Sequence, residues 1–150
     1  KLIVVAIILI ITALIIPIKS NAKPKAEDAV IGLWETEPGD SRIEIYKKKG
    51  KYFGKIVWLK EPNENGKPKV DKNNPDEKQR KRPIMGLHLL TNFVYDEDNI
   101  WTDGEIYNPR DGKTYSCELT LSEDGKTLDV RGYVMGMTFL GKSVKWIRVE

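Results

Sequence analysis

Residues 127–134 read Thr-Leu-Asp-Val-Arg-Gly-Tyr-Val. Leu128, Val130, Gly132 and Val134 fall on one side of an extended chain, while Asp129, Arg131 and Tyr133 fall on the other. That period of two belongs to a strand with one face turned to a core. Just upstream, Cys117, Leu119 and Leu121 alternate with Glu118 and Thr120. The two runs are joined by Glu123-Asp124-Gly125-Lys126, which supplies the residues a tight reversal needs. In this setting Cys117 reads as a small buried hydrophobe. No pattern around the one histidine, His88, marks a nucleophile and its base.

The same alternation runs outward in both directions from this hairpin. Strands are expected over residues 31–37, 42–48, 52–59, 87–95, 100–107, 114–121, 127–134 and 139–149. Their reversals carry Pro38-Gly39-Asp40, Lys49-Gly50-Lys51, Asp96-Glu97-Asp98-Asn99 and Asn108-Pro109-Arg110-Asp111-Gly112. No ten-residue window after Lys23 keeps an apolar period of 3.6 without Gly or Pro, so no long helix is expected there. Sequential antiparallel strands with short turns leave two exposed edges unless the last strand pairs with the first. The expected fold is therefore all-β: a single antiparallel eight-stranded up-and-down barrel behind an N-terminal apolar signal segment. A barrel of that strand number is just wide enough to be packed with side chains or to hold one small ligand.

The chain has 150 residues, with 25 Lys and Arg against 22 Asp and Glu. That length suits one domain. One Cys excludes an internal disulfide framework and a cysteine zinc cluster, and one His excludes a two-histidine metal site. Residues 2–16 are apolar except for Thr12, with Lys1 before them and Pro17, Lys19 and Ser20-Asn21-Ala22 after. This reads as a signal peptide over residues 1–22 with a small-x-small cleavage site after Ala22. The alternative is an uncleaved anchor. As a helix, residues 2–16 reach only about 22 Å, against about 30 Å of hydrocarbon core, which favours cleavage and no stable membrane span. No Cys near the site points to a lipid anchor. Residues 23–30 then form a short linker and 31–150 the barrel domain, and the protein is expected in the bacterial envelope, periplasmic or secreted.

Lys1 and Lys19 are the only charges in residues 1–22, so the remainder holds 23 basic and 22 acidic groups. Duplex nucleic-acid binding rests on concentrated positive charge. The clusters Lys47-Lys48-Lys49 with Lys51, and Lys78 with Arg80-Lys81-Arg82, lie beside turn signals and read as solvated turns, so nucleic acid is not expected as a partner.

Two further groups of residues stand out. Gly32-Leu33-Trp34 opens the first strand and Arg148 sits in the last. This pairing resembles the calycin superfamily, in which a Gly-x-Trp opens the barrel and a basic residue of the final strand packs over the indole. In physical terms Trp34 would plug the barrel base and a guanidinium over its face would add cation–π attraction, giving a structural clasp of Gly32, Trp34 and Arg148. The alternative is an ordinary core Trp and an unrelated surface Arg. The second group is the long connection 61–86. Asp71 and Asn73 have calcium-loop spacing, but Pro75 takes the third ligand position and no Gly follows, which disfavours calcium and leaves no metal site or cofactor expected. Connections of this length are commonly lids or binding loops. Asp71, Asn73, Asn74, Asp76, Arg80 and Arg82 are the candidate binding-loop residues, with Arg80 or Arg82 held by Asp71 or Asp76.

These residues extend to a broader likeness. Gly32-Leu33-Trp34, Asn74-Pro75-Asp76, Arg80-Lys81-Arg82-Pro83-Ile84-Met85-Gly86-Leu87, Trp101-Thr102-Asp103-Gly104-Glu105-Ile106-Tyr107-Asn108-Pro109, Gly112-Lys113-Thr114-Tyr115, Arg131-Gly132-Tyr133 and Trp146-Ile147-Arg148 resemble the bacterial secreted proteins of domain of unknown function family 2147. The resemblance spans about residues 31–148. It implies a small exported β-barrel and implies no chemistry. Val134-Met135-Gly136-Met137 departs from it, being more apolar than the Gly-rich turn expected after Tyr133.

Three functional readings follow. The first is a non-catalytic barrel that binds a small, partly apolar ligand at its open end, supported by barrel size, a large aromatic inventory and the long loop. The second is a module that docks on an envelope protein through the 61–86 loop. The third, and weakest, is a hydrolase-like enzyme using carboxylates among Asp103, Glu105 and Asp111; because Asp103-Gly104 and Asp111-Gly112 read as turns, no catalytic residue and no enzyme is expected. The protein is expected to be a monomer.

Overall fold

The computed structural model describes residues 26–134, 136–137 and 141–150. The expected signal segment 1–22, and the start of the expected last strand at Phe139, lie outside them. Eight strands close into one antiparallel barrel: β1 (Gly32–Thr36), β2 (Ser41–Lys48), β3 (Lys51–Leu59), β6 (His88–Tyr95), β7 (Ile100–Asn108), β8 (Lys113–Leu121), β9 (Thr127–Tyr133) and β10 (Lys142–Arg148). Each pairs with its neighbour in sequence, and β10 returns to β1 with Trp34 opposite Arg148. The last-to-first pairing required to remove the edges is therefore formed. Between β3 and β6 lies a two-stranded hairpin, β4 (Asn63–Glu64) and β5 (Lys67–Pro68). Helical structure among the described residues is confined to 3-10 turns at Ala26–Asp28 and Glu77–Gln79, and no helix among them is long and apolar enough to cross a membrane.

Alternation places Leu119, Leu121, Leu128 and Val130 inside as the pattern requires. Cys117 is fully buried among them, and burial pushes its thiol up to about 12, so it stays protonated and packs as an apolar group. Val134 departs from its expected core position: β9 ends at Tyr133, and Val134 is 52% exposed.

Two bulges correct the simple strand reading. Asp103-Gly104, expected as a turn, lies inside β7, where the register against β8 shifts between Trp101 and Gly104 and Asp103 takes φ +58°. The physical reason is packing. A Cβ on Gly104 would stand 2.3 Å from Phe93 Cγ, so only glycine lets that fully buried ring lie against the strand. A second shift between Arg42 and Ile43 pairs Ile56 with Ile43 and Trp58 with Arg42, leaving Val57 as an extra, exposed residue.

The interior is filled unevenly along the barrel axis. Trp34, Tyr52, Phe93, Leu90, Trp101, Leu119 and Leu128, all at most 1% exposed, pack the half that holds Val30 and Arg148. The other half is walled by Ile43, Ile56, Leu89, Ile106 and Val130 with Trp146, Tyr107 and Tyr115 among them, and opens toward residues 37–40, 60–87 and 109–112.

Candidate functional site

The closed end is built on the clasp. Arg148 lies with its guanidinium carbon 4.2 Å from the Trp34 ring centroid. Its Nη2 donates to the Ala29 carbonyl at 2.6 Å, Nη1 to Ile31 at 3.1 Å and Nε to Gly125 at 2.6 Å. Gly32 has φ +146°, and a Cβ there would meet Arg148 Nη1 at 2.6 Å, so the absence of a side chain makes room for the guanidinium. Gly32, Trp34 and Arg148 are thus brought together. The segment before them, read from sequence as the end of a linker, packs onto the barrel base: Val30 is fully buried, Trp34 Nε1 donates to its carbonyl at 2.9 Å, and Trp101 Nε1 donates to Glu27 at 3.1 Å. Asp28 accepts from Tyr52 OH and Lys47 Nζ, both at 2.8 Å.

The opposite end holds a cavity of two adjoining lobes, about 570 and 530 Å³, within the range of small-molecule sites. Ile43, Ile56, Leu59, Ile84, Leu89, Ile106 and Trp146 line the larger lobe, and Val130, Val144, Tyr115 and Tyr133 belong to the smaller. Thr36, Asp40, Ser41, Ile106, Arg110 and Trp146 border both. At that common wall Arg110 Nη2 donates to Asp40 Oδ2, tying the β7–β8 turn to the β1–β2 turn. Asp40 Oδ1 accepts from Thr36 Oγ1 at 2.9 Å and Ser41 Oγ at 3.0 Å. Partial burial opposes ionisation of Asp40, but the bonds from Thr36, Ser41 and Arg110 outweigh it and hold its carboxyl below the ordinary value.

The connection 60–87 forms a lid on one side of this mouth. Its arms continue the barrel as a ribbon: Ile84 N–H donates to Lys69 O at 2.9 Å, Asp71 N–H to Arg82 O at 3.0 Å, and Val70 bridges Pro83. Beneath lies a polar clamp. Asp71, fully buried, accepts from Tyr107 OH at 2.7 Å, Arg82 Nε at 2.8 Å and Asn74 Nδ2 at 2.8 Å. Burial, then the bond to Asp71, raises the Tyr107 phenol above its usual range and keeps it a donor. Asn73 Nδ2 donates to the carbonyls of Pro109 at 3.3 Å and Arg110 at 2.9 Å, and its own carbonyl lies where a Cβ on Gly112 would be, 1.9 Å away. The lid is therefore seated on the β7–β8 turn at a position where glycine is mandatory.

The six candidate loop residues fall into distinct places. Asp71, Asn74 and Arg82 are bonded to one another and to Tyr107; Asp76 caps the Glu77–Gln79 turn; Arg80 donates to Asn74 O at 2.8 Å. Asn73 alone of the six borders the cavity. Sequence reasoning missed Thr36, Asp40, Arg110 and Trp146. The Pro38-Gly39-Asp40 and Asn108-Pro109-Arg110 turns were the only local signal for Asp40 and Arg110, nothing in either turn announces that the two face each other, and Trp146 stood out only as one aromatic among many. Of the carboxylates weighed for acid-base work, Asp103 and Glu105 do not border the cavity, and Asp111 is held by Tyr115 OH at 2.7 Å and Lys113 N–H at 2.9 Å. No group of three metal-ligating side chains occurs among the described residues.

An eight-stranded antiparallel barrel, plugged at one end by an Arg-on-Trp clasp and hollowed at the other, defines a lipocalin-like protein. It superposes on protein HP1028 from the human pathogen Helicobacter pylori, which belongs to the lipocalin family, with TM-score 0.70 and 25% identity over 81% of this chain and 83% of that one. The chain itself belongs to the family described as uncharacterized protein conserved in bacteria (DUF2147), whose pattern matches residues 32–148. No curated protein matches it.

Proposed function

We propose that this protein is an exported, non-catalytic carrier that takes a small, partly apolar ligand into the open half of its barrel. The observation that carries this reading is the uneven filling of the interior. One half is packed by Trp, Tyr and Phe rings, while the other keeps a cavity of about 570 Å³ over an aliphatic floor with Trp146 at its side. A solidly packed barrel would hold side chains there. The mouth is ringed by Lys60, Lys69, Lys72 and Arg110 against Asp40, Glu61 and Glu64, so an apolar body enters and a polar end stays in the ring. The lipocalin-like fold supports binding over catalysis. The apolar segment at residues 2–16 supports export to the bacterial envelope, and the closed β1–β10 edge supports a monomer. Docking of an envelope protein on the lid gains less support, because Asp71, Asn74 and Arg82 are committed to the clamp.

Native mass spectrometry of the protein purified from its own host tests the reading. A retained small molecule, lost when Ile106→Trp fills the floor of a still-folded barrel, is the expected result. A ligand-free protein that also fails to bind any alkyl alcohol in titration contradicts it.

A further inference from the structure

Within the proposed carrier, the mouth itself distinguishes one class of head group. Asp40 and Arg110 form the ion pair on the wall shared by both lobes, but the two partners are held very differently. Asp40 is fixed: Thr36 and Ser41 both donate to its Oδ1, and Lys60 N–H donates to its backbone carbonyl at 2.9 Å. Arg110 is fixed only along its backbone, where its N–H donates to Asn108 Oδ1 at 3.1 Å and its carbonyl accepts from Asn73 at 2.9 Å. Its side chain is 75% exposed and reaches Asp40 Oδ2 as a strap across the mouth.

An exposed guanidinium swings into water at little cost, because a surface ion pair contributes little net stability. The carboxylate cannot follow. Once the strap is displaced, Asp40 keeps its two hydroxyl donors and presents one oxygen lacking a counter-charge, on the lining it shares with Ile106 and Trp146. The group that stays decides the charge of the group that enters. We infer that the ligand is an amphiphilic amine, whose ammonium replaces the Arg110 guanidinium on Asp40 while its apolar body occupies the floor. An anionic head meets a rim in which Lys69 already pairs with Glu61 at 3.6 Å and Lys72 with Glu64 at 3.0 Å, leaving Lys60 and Lys142 as its lysines, and an anion drawn to Arg110 would take the counter-charge from the partly buried Asp40. This inference rests on the carrier reading but is tested separately from it.

The experiment titrates the whole protein with decylamine, decanol and decanoate at neutral pH, followed by tryptophan fluorescence and calorimetry, in the wild type, Asp40→Asn and Arg110→Gln. The amine should bind at least about tenfold more tightly than the alcohol. Asp40→Asn should abolish that preference, bringing amine and alcohol to similar affinity, and Arg110→Gln should strengthen amine binding severalfold by removing the competing cation. Thermal unfolding confirms that each variant is folded. Alcohol binding without an amine preference, tighter binding of decanoate, or a preference that survives Asp40→Asn overturns the amine inference and leaves the carrier reading standing. Failure of all three probes overturns both.

Discussion

The guanidinium of Arg148, in the last strand, lies 4.2 Å above the ring of Trp34, in the first, and donates to the carbonyls of Ala29, Ile31 and Gly125. One side chain thereby ties the segment before the barrel, the first strand and the β8–β9 turn into a single plug. The planar, five-donor geometry is specific to arginine, because lysine cannot stack flat and reach three carbonyls at once. Arg148→Lys is expected to destabilise the protein by about 2–3 kcal/mol and Arg148→Ala by about 3–4 kcal/mol, from lost stacking and abandoned carbonyls. Urea unfolding followed by tryptophan fluorescence measures this, and a midpoint shared by wild type and both variants would show that the clasp is ornamental to folding.

Gly104 makes a prediction about coupling. Gly104→Ala should cost about 3 kcal/mol, because its Cβ enters the Phe93 ring and a packed core resolves such overlap only by distortion. Phe93→Leu alone opens space and also destabilises. Together the two should cost clearly less than their sum, since the leucine vacates the space that the alanine needs. A double-mutant cycle in urea reads the coupling, and strict additivity would mean that the ring does not press on the strand.

The lid clamp predicts a local rather than global effect. Asp71→Asn removes the charge that gathers Arg82, Tyr107 and Asn74, and should cost about 2–4 kcal/mol through donors left facing a weaker acceptor. The milder Tyr107→Phe should cost about 1 kcal/mol. Because the lid carries Lys72, Lys78, Arg80 and Lys81, limited trypsin digestion is a direct readout. Both variants should be nicked within 72–81 faster than the wild type while the barrel persists. Equal nicking rates would mean that the clamp does not hold the lid.

Acid stability follows from four aspartates. Asp40 and Asp111 are held below the ordinary value of 3.8 although burial opposes it, by bonds from Thr36 and Ser41 and from Tyr115 respectively; Asp76 and Asp124 are held below it by Gln79 and Ser122 and by the N–H groups of Lys78 and Lys126. A carboxyl that binds its proton less readily when folded favours the folded state above its unfolded value, and that stabilisation is lost as pH falls through the lowered, folded value. Stability should therefore be flat from neutral pH to about 5 and decline below about 4. Unfolding midpoints across that range check it, and a midpoint that rises on acidification would contradict the sign.

The barrel was legible because its strands are written as alternation: Leu128 and Val130 point inward as their spacing requires, and Glu123-Asp124-Gly125 turns where it should. The clasp was legible for a different reason, since Gly32, Trp34 and Arg148 form a recognisable set at the two chain ends. Asp103 was misread because a bulge and a turn use the same Asp-Gly chemistry, and only the buried ring of Phe93, across the sheet, tells them apart. The cavity was not legible at all. Asp40 and Arg110 are 70 residues apart, and their meeting depends on barrel closure, which no local pattern encodes. The lid showed its composition and part of its pairing: Arg82 on Asp71 was among the expected contacts and is formed, whereas the anchoring of Asp71 and Asn74 to Tyr107, 33 or more residues away in sequence, was not legible.

The central claim is that the open half of the barrel receives a ligand while the clasped half does not. Nuclear Overhauser contacts between decylamine chain protons and isotope-labelled methyl groups test it most directly. The account predicts cross-peaks to Ile43, Ile56, Leu89 and Ile106, and none to Leu90, Leu119 or Leu128. Contacts confined to the outer methyls of Val57 and Ile147, or the absence of any contact from decylamine, decanol and decanoate alike at saturation, would contradict it.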